Sequence, residues 1–152
     1  MTTVDYRYDE CGLDNVILQG LQTTVDDAGD TVINIQKVNP LHRVITHVVA
    51  SKPTGLLPKE IRFLRTELGL TQAELGRLVG KDPQTVGRWE RGETSPDQTE
   101  EMVIRAHALQ TTADLRAVPT MIELAEMTVK SAATAPFLID ASDPNNYQPL
   151  AA

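Results

Sequence analysis

Two periods of apolar residues divide the chain. Short β-branched runs at 15–19 (NVILQ) and 31–36 (TVINIQ) flank the turn-rich DDAGD at 26–30, which predicts a β-hairpin. Asn39-Pro40 then reads as a helix N-cap and first position. Leu41, Val44, Ile45, Val48 and Val49 follow at i, i+3, i+4, i+7 and i+8, the spacing of an amphipathic helix. Pro53-Thr54-Gly55 stops that helix and reads as a linker.

The next stretch is helical throughout. Pro58 opens a helix with Ile61, Leu64 and Leu68 inward, ended by Gly69. Thr71 caps a helix with Glu74 three residues on, and Leu75, Leu78 and Val79 are its predicted inner face. Gly80-Lys81-Asp82 breaks it, Pro83 fits the first turn of the following helix, Val86 and Trp89 are that helix's inward pair, and Gly92 ends it. A fourth helix is expected over 97–111, inward through Val103, Ala106 and Leu109. A fifth begins near Pro119, with Thr120 and Glu123 as a capping box and Met121, Ile122, Ala125 and Val129 as its stripe. Residues 1–10 are polar and expected to be loose. From Ser131 the chain is Ala-, Pro- and Asn-rich without period, which predicts a flexible tail. The expected organisation is a small α+β domain with a hairpin and helix at 1–55, a helical domain at 56–130, and the tail at 131–152; the fold class is mainly α.

Composition bounds the setting. The 152 residues suit one domain or one with a small companion. No apolar run approaches the ~18 residues that span a bilayer, and no charged-then-apolar leader opens the sequence, so a cytoplasmic protein without membrane contact is expected. The single cysteine, Cys11, can form neither an internal disulfide nor a Cys-rich zinc site. The net charge of −7 is unevenly spread: −3 over 1–58, +2 over 59–92 (7 basic, 5 acidic) and −6 over 93–152. An acidic chain with a local basic face still suits a polyanion, because salt screens charges beyond about 8 Å.

That basic block holds TQAELGRLVGKDPQTVGRWERG (71–92). Two short helices joined by a glycine-containing turn form a rigid L. The first crosses a phosphate backbone and the second enters the major groove, roughly 12 Å wide. The residues divide accordingly, with Val86 and Trp89 for the core and Gln84, Thr85 and Arg88 on the opposite face. Glutamine pairs bidentately with adenine, arginine with guanine, and a threonine methyl touches that of thymine.

Residues 57–111 resemble the phage-repressor and Cro-like helix-turn-helix family, often called XRE, through TQAEL, the Gly80 turn and the Trp89-Glu90-Arg91-Gly92 ending. The resemblance implies a five-helix repressor-like domain. It further implies that Gln72 and Lys81 contact phosphate, that Gln84, Thr85 and Arg88 face bases, and that Arg91 holds the backbone beyond the recognition helix. Pro83 stands where many relatives carry a polar base-reading residue. Arg65 is implied to pair with Glu90 as scaffold. The join of a β-containing N-terminal domain to LLPKEIRFLRTELGLTQAELG is also similar to MqsA (YgiT)-type antitoxin regulators. Many of these hold zinc through two CxxC pairs, for which this sequence has only Cys11, so no metal and no cofactor is expected.

Other signals read more plainly. Trp89 is core rather than a stacking platform. His42 and His47, five apart on the polar side of their helix, lack metal-pair spacing and are expected to be solvated; a zinc set of Cys11 with His42, His47 or His107 has no supporting spacing. Asp26, Asp27 and Asp30 suit a turn. No nucleophile elbow, phosphate-cradling loop or Ser/His/Asp grouping appears, so no enzyme is expected. The stripe on the last helix either completes the core or pairs two chains, and palindromic operators bound by two-fold dimers favour a homodimer. The leading function is a double-stranded-DNA-binding repressor of its own operon, acting by promoter occlusion. The alternatives are an antitoxin that also neutralises a toxin protein through its N-terminal domain or tail, and a mobile-element regulator whose N-terminal domain senses a signal.

Overall fold

A ten-residue strand with an interrupted alternation organises the first part of the chain. In the computed structural model, which describes residues 2–129 and 135–150, β2 (Val16–Val25) buries Val16 and Leu18, then Leu21 and Thr23. Strict alternation would turn Leu21 outward. Gly20, at φ 73°, supplies the extra residue: β1 (Thr3–Arg7) pairs antiparallel with β2, and its register shifts between Val4 opposite Leu21 and Tyr6 opposite Leu18. This is a bulge that re-aims the apolar face.

β3 (Thr31–Ile33) pairs antiparallel with residues 23–25 of β2. The intervening turn is closed by Asp26 Oδ1, which accepts from the amides of Ala28 and Asp30 at 3.0 and 2.9 Å. The predicted hairpin therefore forms, with a longer first strand than expected. β4 (Phe137–Asp140) lies parallel to β2, and β5 (Gln148–Leu150) is antiparallel to β4. Two expectations are corrected here. Residues 3–7 are a strand and not loose, and residues 137–150 supply two strands in place of a flexible tail; residues 130–134 lie outside the described residues. The four-residue alternation of FLID, with Phe137 and Ile139 buried, is too short to show a period. Its turn is built by side chains: Asp140 Oδ1 accepts from Ser142 N and Asp143 Oδ1 from Asn145 N.

The chain divides at different places from those expected, into Met1–Ile45 with Thr134–Ala152 and Thr46–Ala133. The first unit packs Leu13, Val16, Leu18, Leu41, Val44, Ile45, Phe137, Ile139 and Tyr147 in its core. Helix α1 (Val38–Ala50) carries the predicted apolar stripe, and His42 shares a 2.7 Å hydrogen bond with the Tyr8 hydroxyl.

Five helices, α2 (Pro58–Glu67), α3 (Gln72–Val79), α4 (Pro83–Arg91), α5 (Gln98–Thr111) and α6 (Met121–Thr128), belong to the second unit. Val49, Ile61, Phe63, Leu64, Leu75, Val86, Trp89, Ile104, Leu109 and Leu124 are its buried centre. α5 departs from its predicted phase, burying Glu100, Glu101, Ile104, Arg105, Ala108 and Leu109 while Val103 and Ala106 are half-buried. The reason is polar. Arg105 is fully buried and donates to the carbonyls of Ala50, Lys52 and Thr54, while Glu101 accepts from Arg105 Nε at 3.1 Å and from Leu56 N at 3.0 Å. The segment read as a linker is thereby fastened to α5. Lys52 and Glu60, both buried, pair at 2.6 Å. On α6, Leu124 is the buried residue, and the expected stripe of Met121, Ile122 and Val129 is 65, 74 and 70% exposed.

His47 also corrects an expectation. It is buried rather than solvated, and its Nδ1 lies 3.0 Å from Thr112 Oγ1. Burial first, then the positive charge of Arg116, hold its imidazole below the ordinary 6.5, against an opposing contribution from Thr112. A buried neutral histidine resists protonation that the unfolded chain accepts, so its contribution to stability is full above pH 6.5 and declines below it. Urea titrations between pH 5 and 7.5 are expected to show a steeper acid loss for the wild type than for His47→Gln. Ile139→Ala, in the segment expected to be loose, is expected to cost roughly 2–5 kcal/mol in the same assay.

Candidate nucleic-acid interface

The two central helices of the second unit are delimited by their own side chains. Thr71 Oγ1 accepts from Glu74 N at 3.1 Å and Glu74 Oε1 accepts from Thr71 N at 3.0 Å, a reciprocal capping box. These bonds hold the Glu74 carboxyl below its usual range. At the other end Gly80 adopts φ 73°, the left-handed conformation that stops a helix most easily with glycine. Asp82 then caps α4, its Oδ1 accepting from the Thr85 hydroxyl and the Thr85 amide, both at 2.7 Å. Those two bonds, the hydroxyl first, lower the Asp82 carboxyl, with smaller help from Arg88 and Lys81.

The angle between α3 and α4 is set at Gly76. Lys81 N donates to Gly76 O at 2.8 Å, and a Cβ on Gly76 would stand 2.4 Å from Lys81 O. A glycine inside a helix costs about 1 kcal/mol relative to alanine, and here it admits the turn. The same contact fixes the rotation of α3. Leu75 and Gly76 face in, Val79 is half-buried, and Leu78, predicted inward, is 50% exposed.

α4 buries Val86 and Trp89 at 0 and 2% exposure. Arg65 locks its far end from α2: Nε donates to Glu90 Oε2 at 2.5 Å, Nη2 to Glu90 Oε1 at 3.0 Å, and Nη1 to Leu70 O at 2.9 Å. The fork geometry fixes orientation as well as distance. Gln84 and Arg88 are exposed on the side away from Val86 and Trp89. Thr85 is half-buried with its hydroxyl committed to Asp82, which leaves its methyl for apolar contact.

The remaining predicted residues lie at the flanks. Half-buried Gln72 donates to Glu90 Oε1 at 3.3 Å. Exposed Lys81 pairs with Glu100 Oε2 at 3.4 Å, and exposed Arg91 with Glu93 Oε2 at 2.5 Å. Gly87 draws two of them together: a Cβ there would lie 3.0 Å from Arg91 Nη1 and 3.5 Å from Gln72 Nε2. Lys81, Thr85 and Arg88 gather around Asp82. The sequence reading gives no role to Gly76, Gly87, Glu93 or Glu100, and places Asp82 in the break without its capping of α4. The signal for Gly76 was available, since an interior glycine in an otherwise regular helix marks a close approach.

Among the described residues no group of three or more His, Cys, Asp or Glu is arranged to hold a metal ion, and no helix is long and apolar enough to cross a membrane. Cys11 Sγ contacts Tyr8 O at 3.6 Å.

This geometry is that of a helix-turn-helix, and residues 61–100 match the helix-turn-helix family. A 61-residue stretch is 38% identical to Repressor protein C2 of Salmonella phage P22, covering 40% of this chain and 28% of that protein. The likeness thus spans little more than a quarter of the phage protein. No solved structure matches the chain.

The two helix glycines are expected to respond in opposite ways. Gly76→Ala is expected to lose roughly 1–3 kcal/mol, as overpacking against a backbone carbonyl does. Gly87→Ala meets the mobile end of Arg91 and is expected to be neutral or slightly stabilising. Urea unfolding of the two variants beside the wild type checks the contrast.

Proposed function

We propose that this protein is a sequence-specific double-stranded-DNA-binding transcriptional repressor that represses its own operon by occluding the promoter. The observation that carries the reading is α4: Gln84 and Arg88 project from a short helix whose opposite face is anchored by Val86 and Trp89 and whose end is locked by Arg65 and Glu90. An anchored helix with a free polar face is what major-groove readout requires. The match to the helix-turn-helix family and the likeness to a phage repressor support it. In this reading Arg88 and Gln84 take base edges, the Thr85 methyl takes a thymine methyl, and Gln72, Lys81 and Arg91 hold phosphates.

A single helix of this length reads few base pairs, so the operator is a palindrome and the working form a homodimer. The exposed Met121, Ile122 and Val129 on and just after α6 supply the pairing surface. A second reading, that the first unit also neutralises a partner toxin, is favoured by the uncovered apolar tip of the β2–β3 hairpin, where Val25, Val32 and Ile33 are 69, 37 and 39% exposed. Co-purification of a neighbouring gene product, lost on Val32→Asp, tests it.

The primary test is selection of binding sites from random duplexes, followed by gel shifts on the selected sequence and on the gene's own upstream DNA. Arg88→Ala is expected to weaken binding by about 10–100-fold and relax specificity at one position of each half-site; unchanged affinity and specificity would sink the reading. Ile122→Glu is expected to give a monomer in sedimentation, with weakened binding to the full palindrome.

A further inference from the structure

The polar residues of the helix-turn-helix fall into two groups by what already holds them. Those assigned to phosphate are tied to carboxylates: Gln72 to Glu90, Lys81 to Glu100 and Arg91 to Glu93. Of the residues assigned to bases, Thr85 is half-buried and bonded to Asp82, whereas Arg88 and Gln84 are exposed with no carboxylate in ion-pair or hydrogen-bond contact among the described residues. Glu90 also serves the Arg65 scaffold, but Glu93 and Glu100 face the two cations.

Glu100 is the better placed of the two. Its Oε1 accepts from Asp97 N at 2.9 Å in the capping box of α5, and its Oε2 faces Lys81 Nζ at 3.4 Å. The residue is 8% exposed, so its carboxylate is fixed before any ligand arrives. Glu93 is more mobile, with its side chain 55% exposed, yet it contacts the Arg91 guanidinium at 2.5 Å. It follows directly after the Gly92 cap at φ 77°, where Glu93 N donates to Arg88 O at 2.9 Å.

We infer that Glu93 and Glu100 are affinity-setting residues of the DNA-binding surface, counter-charges that a DNA phosphate must replace when Arg91 and Lys81 engage it. The inference rests on the DNA-binding reading above. Each cation that moves to a phosphate releases a condensed counterion from the duplex. The carboxylate it leaves behind recruits a cation from solution, which cancels part of that release. Binding is then weaker, and less steeply dependent on salt, than the number of basic contacts implies. The effect falls on backbone contacts, which carry non-specific affinity, while Arg88 feels the Asp82 charge without contacting it.

The experiment uses the full-length protein and the duplex obtained by site selection, with affinities measured from 50 to 300 mM KCl. Glu100→Gln and Glu93→Gln keep size and polarity, and glutamine at 100 can still accept the Asp97 amide. Each is expected to bind about 3–10-fold more tightly at the lowest salt, with a log–log salt slope steeper by up to roughly 1 per variant. The gain at Glu100 must disappear in a Lys81→Gln background, and the gain at Glu93 in an Arg91→Gln background. Equal gains in both backgrounds would show a general effect of net charge and overturn the pairing. Unchanged affinity and slope in both single variants, with wild-type binding still dependent on Arg88, would overturn this inference alone. A wild type that selects no duplex would overturn it together with the DNA-binding reading.

Discussion

The geometry of the helix-turn-helix depends on the missing side chain of Gly76. A carbonyl oxygen from the turn occupies the place where a Cβ would be, and that approach sets how α3 meets α4. The rest follows in sequence. The turn tightens through Gly80, Asp82 begins α4 at once, and Val86 and Trp89 enter the core at a fixed height. Arg65 and Glu90 then prevent the helix from rotating. Helix packing alone tolerates some 15–20° of scatter in crossing angle, a looser constraint than this backbone approach. A backbone contact is stiffer than a layer of interdigitated methyl groups.

The electrostatics are organised locally. The chain carries −7 overall, with its basic excess confined to 59–92. Screening over about 8 Å at physiological salt weakens the effect of acids farther away than that. The acids that matter are those in contact: Asp82 at the head of α4, Glu90 at its end, Glu93 beyond it and Glu100 across from Lys81. Their arrangement gives a surface whose cations are oriented at the expense of part of their charge.

Features encoded within a few residues were legible in the sequence. The capping boxes at Thr71/Glu74 and Thr120/Glu123, the helix-ending glycines at 69, 80 and 92 and the Val86/Trp89 pair are each legible before any coordinates, while the Arg65–Glu90 bridge, 25 residues apart, follows only from the family resemblance. Features requiring distant partners could not. β4 pairs with a strand some 120 residues earlier, and its four residues carry no detectable period. β1 contributes little apolar surface, so its strand character comes from hydrogen bonds to β2. The inner face of α5 departs from its apolar phase because three of its buried residues are charged, and the carbonyls and amide that hold two of them lie some 45–55 residues earlier. Leu78 was placed inside by spacing, while the Gly76 contact turns it out.

The buried guanidinium of Arg105 has a practical consequence for dissection of the molecule. Composition marks Pro53-Thr54-Gly55 as the natural place to separate the helix-turn-helix from what precedes it. The carbonyls that Arg105 grips belong to residues 50, 52 and 54, and the amide that Glu101 holds belongs to Leu56. A fragment beginning after Gly55 would leave an arginine in the protein interior with three of its acceptors gone, and breaking a buried polar network from one side is costly. A fragment that keeps this network intact therefore starts within α1, upstream of the proline-glycine break.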